Sequence, residues 1–179
     1  MIVDLLAIFF GISSWISING LWVELPLLVD RLPESWNLAS YLSIIVQLAN
    51  VGPITIGLLR WKKSVPVAWV IITLLIIGII SSVLLVVFWS ETSFIGGVNH
   101  STALFALVFF LSLVDCTSSV LFLPFMGVFK QSYLNSYLVG EGLSGFLPSI
   151  AALAQGVGGN PYCENVTIIE NGTEVMSLH

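Results

Sequence analysis

The feature that most constrains this chain is its series of long apolar segments, which contain few charges or none. No charged residue lies from Trp36 to Leu59 or from Pro66 to Trp89. A helix needs about 20 apolar residues to cross a bilayer, and 57% of the chain is hydrophobic while only 8% is charged. A soluble fold averages about 25% charged residues, so the sequence predicts an all-α integral membrane protein. Membrane β-strands are excluded because the apolar runs do not alternate.

Five apolar segments predict a bundle of about five transmembrane helices that are joined by short loops and occupy residues 1–159. The predicted helices are residues 2–28, 38–60, 66–89, 101–127 and 134–157. Residues 160–179 are polar and are expected to form a separate segment outside the bundle.

The basic residues predict the orientation of the bundle in the lipid bilayer. The loops after the second and fourth helices hold the basic residues Arg60, Lys62, Lys63 and Lys130. Because cytoplasmic loops are enriched in Lys and Arg, we expect the N-terminus in the cytoplasm and residues 160–179 outside the cell. Two N-glycosylation sequons, at Asn165 and Asn171, agree with that side. With only five Lys and Arg in the chain, nucleic acid is not an expected partner.

The first segment carries polar residues that a simple anchor does not need. Pro26 cannot donate a backbone N–H, so the carbonyl of Trp22 loses its helical partner. Asn19, Trp22 and Pro26 share one helix face, and Glu24 should lie near the interface or face a polar interior, since a carboxylate in lipid is costly. This face predicts one wall of a cavity for a planar, hydrogen-bonding solute. The alternative is a kinked anchor with an interfacial Trp and Glu.

Polar side chains also recur on one face of the second, fourth and fifth helices. These faces carry Ser43, Gln47 and Asn50; Ser112, Asp115, Ser118, Ser119 and Phe122; and Tyr137, Glu141, Ser144, Pro148 and Gln155. Such side chains also join helices where there is no cavity, and for the serines both interpretations stay open. Asp115 lies within a long apolar run and is expected to face an interior, either as a solute ligand or as an acceptor for neighbouring hydroxyls. The third helix has no such face and is expected to face lipid.

An enzymatic function is not expected. Gly142-Leu-Ser144-Gly145 matches the pattern around the nucleophile of rhomboid-type intramembrane proteases, but such a serine needs a base from another helix. The two histidines, His100 and His179, lie at a helix edge and at the terminus. The sequence also lacks the ligand spacing of a metal site, and no cofactor is expected.

Several stretches together resemble the animal riboflavin transporters, solute carrier family 52. They are Asn19-Gly-Leu-Trp-Val-Glu-Leu-Pro26 with the segment 32–43 after it, Cys116-Thr-Ser-Ser-Val-Leu-Phe-Leu-Pro-Phe125, and Gly140-Glu-Gly-Leu-Ser-Gly-Phe-Leu-Pro148 with Gln155-Gly-Val-Gly158. The resemblance implies a multi-pass plasma-membrane carrier that moves riboflavin into the cell and is distantly similar to the equilibrative nucleoside transporters. Members of that family have about eleven membrane helices, so the resemblance implies an N-terminal part of a larger bundle whose C-terminal half is a missing partner.

The resemblance and the polar faces together give a hypothesis for solute binding. The flat ring of riboflavin would stack near Trp22 or Phe122, and its imide and ribityl hydroxyls would bond to polar side chains of several helices. The predicted substrate contacts are Asn19, Trp22, Glu24, Tyr41, Gln47, Asn50, Asp115, Ser118, Phe122 and Gln155. The alternative is a non-transporting multi-span adaptor or structural protein, in which the polar faces only join helices.

Overall fold

The first apolar segment is not one straight helix in the computed structural model of the chain, which describes residues 2–62, 66–157, 165–170 and 173–178. It forms three successive helices, α1 (Ile2–Ile12), α2 (Ile16–Val23) and α3 (Leu25–Arg31). A bend of 49° separates α1 from α2. At this bend the hydroxyls of Ser13 and Ser14 donate hydrogen bonds to backbone carbonyls of the preceding turn, at 2.7 and 2.6 Å. Serines that bond to the backbone in this way bend helices.

The interruption that the sequence predicts near Pro26 is a second, separate break. It falls at Glu24, and Pro26 is the second residue of α3. Proline is accepted in the first turn of a helix, where its missing N–H has no partner to lose. The first segment therefore changes direction at the bend and is interrupted again near its far end.

The second apolar segment is also divided. After a 3-10 turn at Ser35–Asn37, α4 (Leu38–Leu48) and α5 (Val51–Lys62) are separated by Ala49 and Asn50. The residue Pro53, in the first turn of α5, has no N–H to continue the hydrogen bonding of α4. By length and composition the two helices still form one candidate span.

The remaining segments form long, unbroken helices. They are α6 (Val67–Phe88), α7 (Thr102–Met126) and α8 (Gln131–Gln155). Pro124 and Pro148 lie inside α7 and α8 without ending them. In the described part of the chain, four helices are long and apolar enough to cross a membrane, or five if α1 and α2 count as one bent span. The predicted all-α membrane fold with about five spans is confirmed.

Two antiparallel hairpins are features that the sequence does not predict. They pair β1 (Ser93–Ile95) with β2 (Val98–His100), and β3 (Asn165–Glu170) with β4 (Thr173–Leu178). Gly96 and Gly97 make the first turn with φ of 62° and 91°, a conformation that glycine adopts without strain. The predicted glycosylation position Asn165 begins β3, whereas Asn171 lies outside the described residues.

Helix α7 is the centre of the bundle. Of its most apolar stretch 56% is buried, compared with 17–22% for the other long spans. Helices α4, α5 and α6 pack on α7, α1 packs on α8, and α2 contacts both α7 and α8. One apolar cluster surrounds Leu42 and Leu104 and another surrounds Phe122 and Tyr137. The bend between α1 and α2 is thus placed against α7 and α8, two of the helices that carry polar faces.

Candidate solute-binding site

The bend in the first span is joined to α7 and α8 by polar contacts. The indole N–H of Trp15 donates to Ser119 Oγ at 3.2 Å, and the amide N–H of Asn19 donates to Ser144 Oγ at 3.5 Å. The second distance is at the long end of the hydrogen-bond range. The Asn19 amide is therefore only weakly held by Ser144.

Ser118 lies at the same bend but is fully buried. Its hydroxyl donates to the backbone carbonyl of Asp115 at 2.7 Å and lies 3.5 Å from the carbonyl of Ser14. Because its hydroxyl bonds to a carbonyl of α7 and lies close to a carbonyl of the bend, Ser118 fixes the position of the first span against α7. Ser118 therefore contacts the bend at Ser14, whereas Asn19 contacts Ser144 of α8.

Trp22 and Glu24 follow Asn19 toward the far end of the first span. The side chain of Trp22 is 36% exposed, one helical turn beyond Asn19, so part of its ring is open to a ligand. Glu24 is half-buried and lines a cavity of about 340 Å³ together with Arg31 and Trp89. Trp22 thus lies one turn beyond Asn19 on the same helix, whereas Glu24 lines a cavity nearer the end of α6.

The predicted contacts of the second span lie elsewhere. Gln47 and Asn50 are exposed, and the Asn50 amide donates to the backbone and side-chain oxygens of Gln47 at 3.2 and 3.3 Å. The exposed ring of Tyr41 packs beside Phe105, with centroids 5.8 Å apart. Among residues 2–62 and 66–157, no recorded hydrogen bond links these three side chains to Asn19. They form a second polar surface on the outside of the described bundle.

Phe122 and Gln155 occupy contrasting environments. The ring of Phe122 is buried and stacked on Phe10, with centroids 4.3 Å apart. Its face is therefore covered, and Phe122 does not offer the stacking surface that the sequence suggests. Gln155 is exposed at the last residue of α8.

Asp115 faces a different part of the molecule. It is only 2% exposed and lines a cavity of about 280 Å³ with Ser13, Ser17 and Ser82. The hydroxyls of Ser17 and Ser82 lie 3.4 Å apart. Helix α6, which the sequence predicts to face lipid, exposes most of its apolar side chains and also contributes Ser82 to this cavity.

Sequence reasoning misses the bend and the pairs that form around it. The pairing of Trp15 with Ser119 and of Ser17 with Ser82 depends on the bend, which falls after Gly11. The signal that was present is Gly11-Ile-Ser-Ser14, because sharp kinks occur at Gly and Ser pairs. Within the described residues, no group of three or more His, Cys, Asp or Glu side chains could hold a metal ion.

A buried carboxylate joins two loops beyond the ends of the spans. Glu34 accepts hydrogen bonds from the backbone N–H of Ser101 at 2.6 Å and from its hydroxyl at 2.7 Å, and His100 Nδ1 lies 3.5 Å away. Burial raises the pKa of Glu34, but the hydrogen bonds from Ser101 outweigh it and hold the pKa below its ordinary value. We call this pair the Glu34–Ser101 clamp.

Comparison with known proteins places these features in a family context. A family model described as "Solute carrier family 52, riboflavin transporter" matches residues 1–179. No solved structure matches the chain.

Several curated relatives are similar over most of this chain. A riboflavin transporter, member 3-A, of Danio rerio is 51% identical over 172 residues, which are 93% of this chain and 37% of the relative. Member 3 of Homo sapiens is 49% identical over 95% of this chain and 36% of its own length. The riboflavin transporter rft-1 of Caenorhabditis elegans is 45% identical over 87% of this chain and 37% of its own length. The chain therefore spans a little over a third of the length of these relatives.

Proposed function

Because this chain belongs to solute carrier family 52, the riboflavin transporter family, we propose that it forms part of a plasma-membrane carrier that takes up riboflavin. The chain is a multi-pass membrane protein, and relatives that are about half identical to it are named riboflavin transporters. Since it spans about 37% of their length, the complete carrier needs a remaining part. In this proposal the chain carries no enzymatic activity and uses no cofactor.

The observation that carries the proposal is the weakly held Asn19 amide beside the partly open ring of Trp22. Riboflavin has a flat aromatic ring system, and one edge of it presents an imide N–H between two carbonyls. A carboxamide both donates and accepts, so the side chain of Asn19 can pair with that edge after leaving Ser144, 3.5 Å away. An indole face one turn further along suits the stacking of the ring.

The exposed amides of Gln47 and Asn50 fit a second role in the same proposal. Polar side chains at membrane depth are expensive in contact with lipid. We place them, with Tyr41 and Gln155, among the groups that face the solute pathway or the remaining part of the carrier. Alternating access would then be a rocking of the two parts around the solute, as in other carriers with broken helices.

The proposed orientation has the N-terminus in the cytoplasm. The basic residues after the second and fourth spans support it. The Glu34–Ser101 clamp and β1–β2 then lie outside the cell, as do the sequons at Asn165 and Asn171. Glycosylation of those two asparagines is part of the proposal.

The test is riboflavin uptake by a carrier in which this chain is joined to the remaining part of the Danio rerio relative. We expect Asn19→Leu and Trp22→Leu each to lower uptake by about tenfold, which corresponds to the loss of about 1.4 kcal/mol. Trp22→Phe keeps an aromatic face and should retain most of the uptake. Surface biotinylation should show equal amounts of each variant.

Matched controls use the same residue types at positions outside the proposed wall. Trp61, which is 86% exposed, and Asn135, which accepts a hydrogen bond from Gln131, can be replaced by Leu without loss of uptake. Normal uptake by both Asn19→Leu and Trp22→Leu would refute the proposed wall. No uptake by the joined carrier, when it is present at the surface, would favour the non-transporting adaptor instead.

A further inference from the structure

A cavity of about 340 Å³ lies at one end of the bundle, between α3 and the end of α6. Two opposite charges, an indole ring and apolar side chains line it, and they belong to Glu24, Arg31, Trp89, Leu27 and Leu28. Ligand sites in proteins commonly have volumes of roughly 300–1,000 Å³. We call this space the α3–α6 cavity, and the solute contacts proposed at Asn19 and Trp22 do not line it.

The two opposite charges of the cavity do not pair with each other. Glu24 precedes α3 and Arg31 is its last residue, so the helix holds their backbones about 10 Å apart along its axis. The ion pair recorded in the described part of the chain joins His100 to Glu34 instead. No side-chain hydrogen bond is recorded there for Glu24 or Arg31. The cavity therefore offers one anionic and one cationic group, and a ligand can bind both.

The other charged groups near the cavity do not line it. Asp30 and Glu91 are exposed carboxylates that are close in sequence to Arg31 and Trp89, and neither contributes to the cavity wall. The charge inside the cavity is therefore negative at the start of α3 and positive at its end. A zwitterionic ligand complements this pattern, because each of its charges can face the opposite charge of the protein.

The position of Trp89 places the cavity at the level of lipid headgroups. Helix α6 has 22 residues, and at 1.5 Å per residue it is about as long as the hydrocarbon core is thick. Trp89 directly follows this helix and therefore lies at the membrane interface, where Trp is enriched. The preceding turn of α6 exposes the apolar side chains of Val86, Val87 and Phe88. A lipid can thus keep its headgroup in the cavity while its acyl chains lie along α6.

We propose that the α3–α6 cavity binds the headgroup of a phosphatidylcholine molecule of the surrounding bilayer. The guanidinium of Arg31 binds the phosphate, for which its planar set of donors is suited. The quaternary ammonium lies against the indole face of Trp89, and the carboxylate of Glu24 is its counter-ion. The inference needs only a multi-pass membrane protein, so it does not depend on riboflavin transport.

Lipid binding measured by native mass spectrometry tests this proposal. The 179-residue chain is purified in a maltoside detergent and titrated with phosphatidylcholine or with phosphatidylglycerol that carries the same acyl chains. Phosphatidylglycerol has the phosphate but no cationic group, so binding through the acyl chains alone would be equal for the two lipids. We expect at least five times more bound phosphatidylcholine at the same lipid concentration.

Single substitutions test whether the lipid binds in the cavity. Glu24→Gln, Arg31→Gln and Trp89→Leu should each lower the amount of bound phosphatidylcholine at least threefold. Trp89→Phe keeps an aromatic face and should retain most of the binding. Matched controls change exposed residues of the same types that do not line the cavity, and they should bind as much lipid as the unchanged chain; they are Glu91→Gln, Arg60→Gln and Trp69→Leu.

A charge reversal distinguishes headgroup recognition from damage to the fold. Glu24→Lys gives the cavity two cationic groups, which repel choline and attract an anionic headgroup. This variant should bind at least three times more phosphatidylglycerol than phosphatidylcholine, the reverse of the unchanged chain. Misfolding alone does not create a preference for the other lipid.

Several results would overturn the proposal. Equal binding of the two lipids by the unchanged chain, or an unchanged preference in Glu24→Lys, would show that the cavity does not recognise the headgroup. Displacement of the bound lipid by an equal concentration of free phosphocholine would show that the cavity takes a soluble zwitterion. The titration is repeated with the chain joined to the remaining part of the Danio rerio relative. Loss of the preference in that joined carrier would show that the remaining part, rather than lipid, covers the cavity.

Discussion

At the scale of single residues, Glu34 makes a short, buried polar contact with Ser101. It lies after the first span, and Ser101 occupies the residue just before α7, 67 residues away. A carboxylate at this place accepts two short hydrogen bonds and also interacts favourably with the positive end of the helix. In the sequence Glu34 is an ordinary loop carboxylate, and only the fold reveals its partner. The clamp could not be predicted because nothing local marks two residues so far apart.

The clamp should make stability depend on pH in a defined direction. The pKa of Glu34 is held below its ordinary value of 4.5, so its contribution is complete above about pH 4.5 and is lost as the pH falls through the lowered pKa. Glu34→Gln should lower the free energy of unfolding by about 1–2 kcal/mol near pH 7. Thermal unfolding in detergent measures this difference, which should shrink on acidification to about pH 3.

Glu91→Gln is the matched control, since Glu91 is an exposed carboxylate in the loop before β1. Its unfolding temperature should follow that of the unchanged chain at every pH. A Glu34→Gln variant that is as stable as the unchanged chain near pH 7, or whose deficit stays constant down to about pH 3, would argue against the clamp.

At the scale of elements, the close crossing of α1 and α8 depends on two glycines. A Cβ added at Gly11 would overlap the backbone carbonyl of Tyr137, and one added at Gly140 would overlap that of Ile8. Without a hydrophobic drive between helices in lipid, close packing of this kind holds them together. The sequence shows that α8 is rich in glycine, but it cannot show which of these glycines face α1.

The glycines of α8 differ in how closely α1 approaches them, and substitution by alanine tests this difference. Gly140→Ala and Gly11→Ala should force α1 and α8 apart and lower the free energy of unfolding by about 1–3 kcal/mol. A Cβ at Gly142 would meet no atom within 4 Å, so Gly142→Ala should be neutral or slightly stabilising through its helix propensity. Unfolding temperatures in detergent, compared among the three variants, check this. Equal stability of Gly140→Ala and Gly142→Ala would contradict the crossing.

Hydrophobic runs in the sequence predict the long spans but not the breaks within them. They locate the long spans well, because length and composition alone decide whether a segment can cross the bilayer. They do not locate the bend at Ser13 and Ser14 or the break before Val51, where local backbone bonding decides. Of the predicted solute contacts, Asn19 bonds to Ser144 of α8 and Ser118 lies against Ser14 at the bend, whereas Phe122 packs against Phe10. A face on a helical wheel does not show which neighbour covers it.

At the scale of the whole molecule, the bundle leaves polar groups on surfaces where contact with lipid would be unfavourable. The amides of Gln47 and Asn50 are exposed, Trp22 is partly open, and Asp115 lacks one partner among the described residues. These surfaces lie on more than one side of α7. A single small solute cannot cover them all, so the proposed carrier requires further groups from its remaining part to cover the rest.

This arrangement predicts that the five-span chain does not transport alone. Alternating access requires two parts that rock against each other around the solute, and this chain supplies one wall at most. Cells that express the 179-residue chain should take up radiolabelled riboflavin no faster than cells with an empty vector, although the chain reaches the surface. Joining it to the remaining part of the Danio rerio relative should raise uptake at least tenfold above that background. Saturable uptake by the chain alone, at the rate of the joined carrier, would show that the missing wall comes from a second copy of the chain or is not needed.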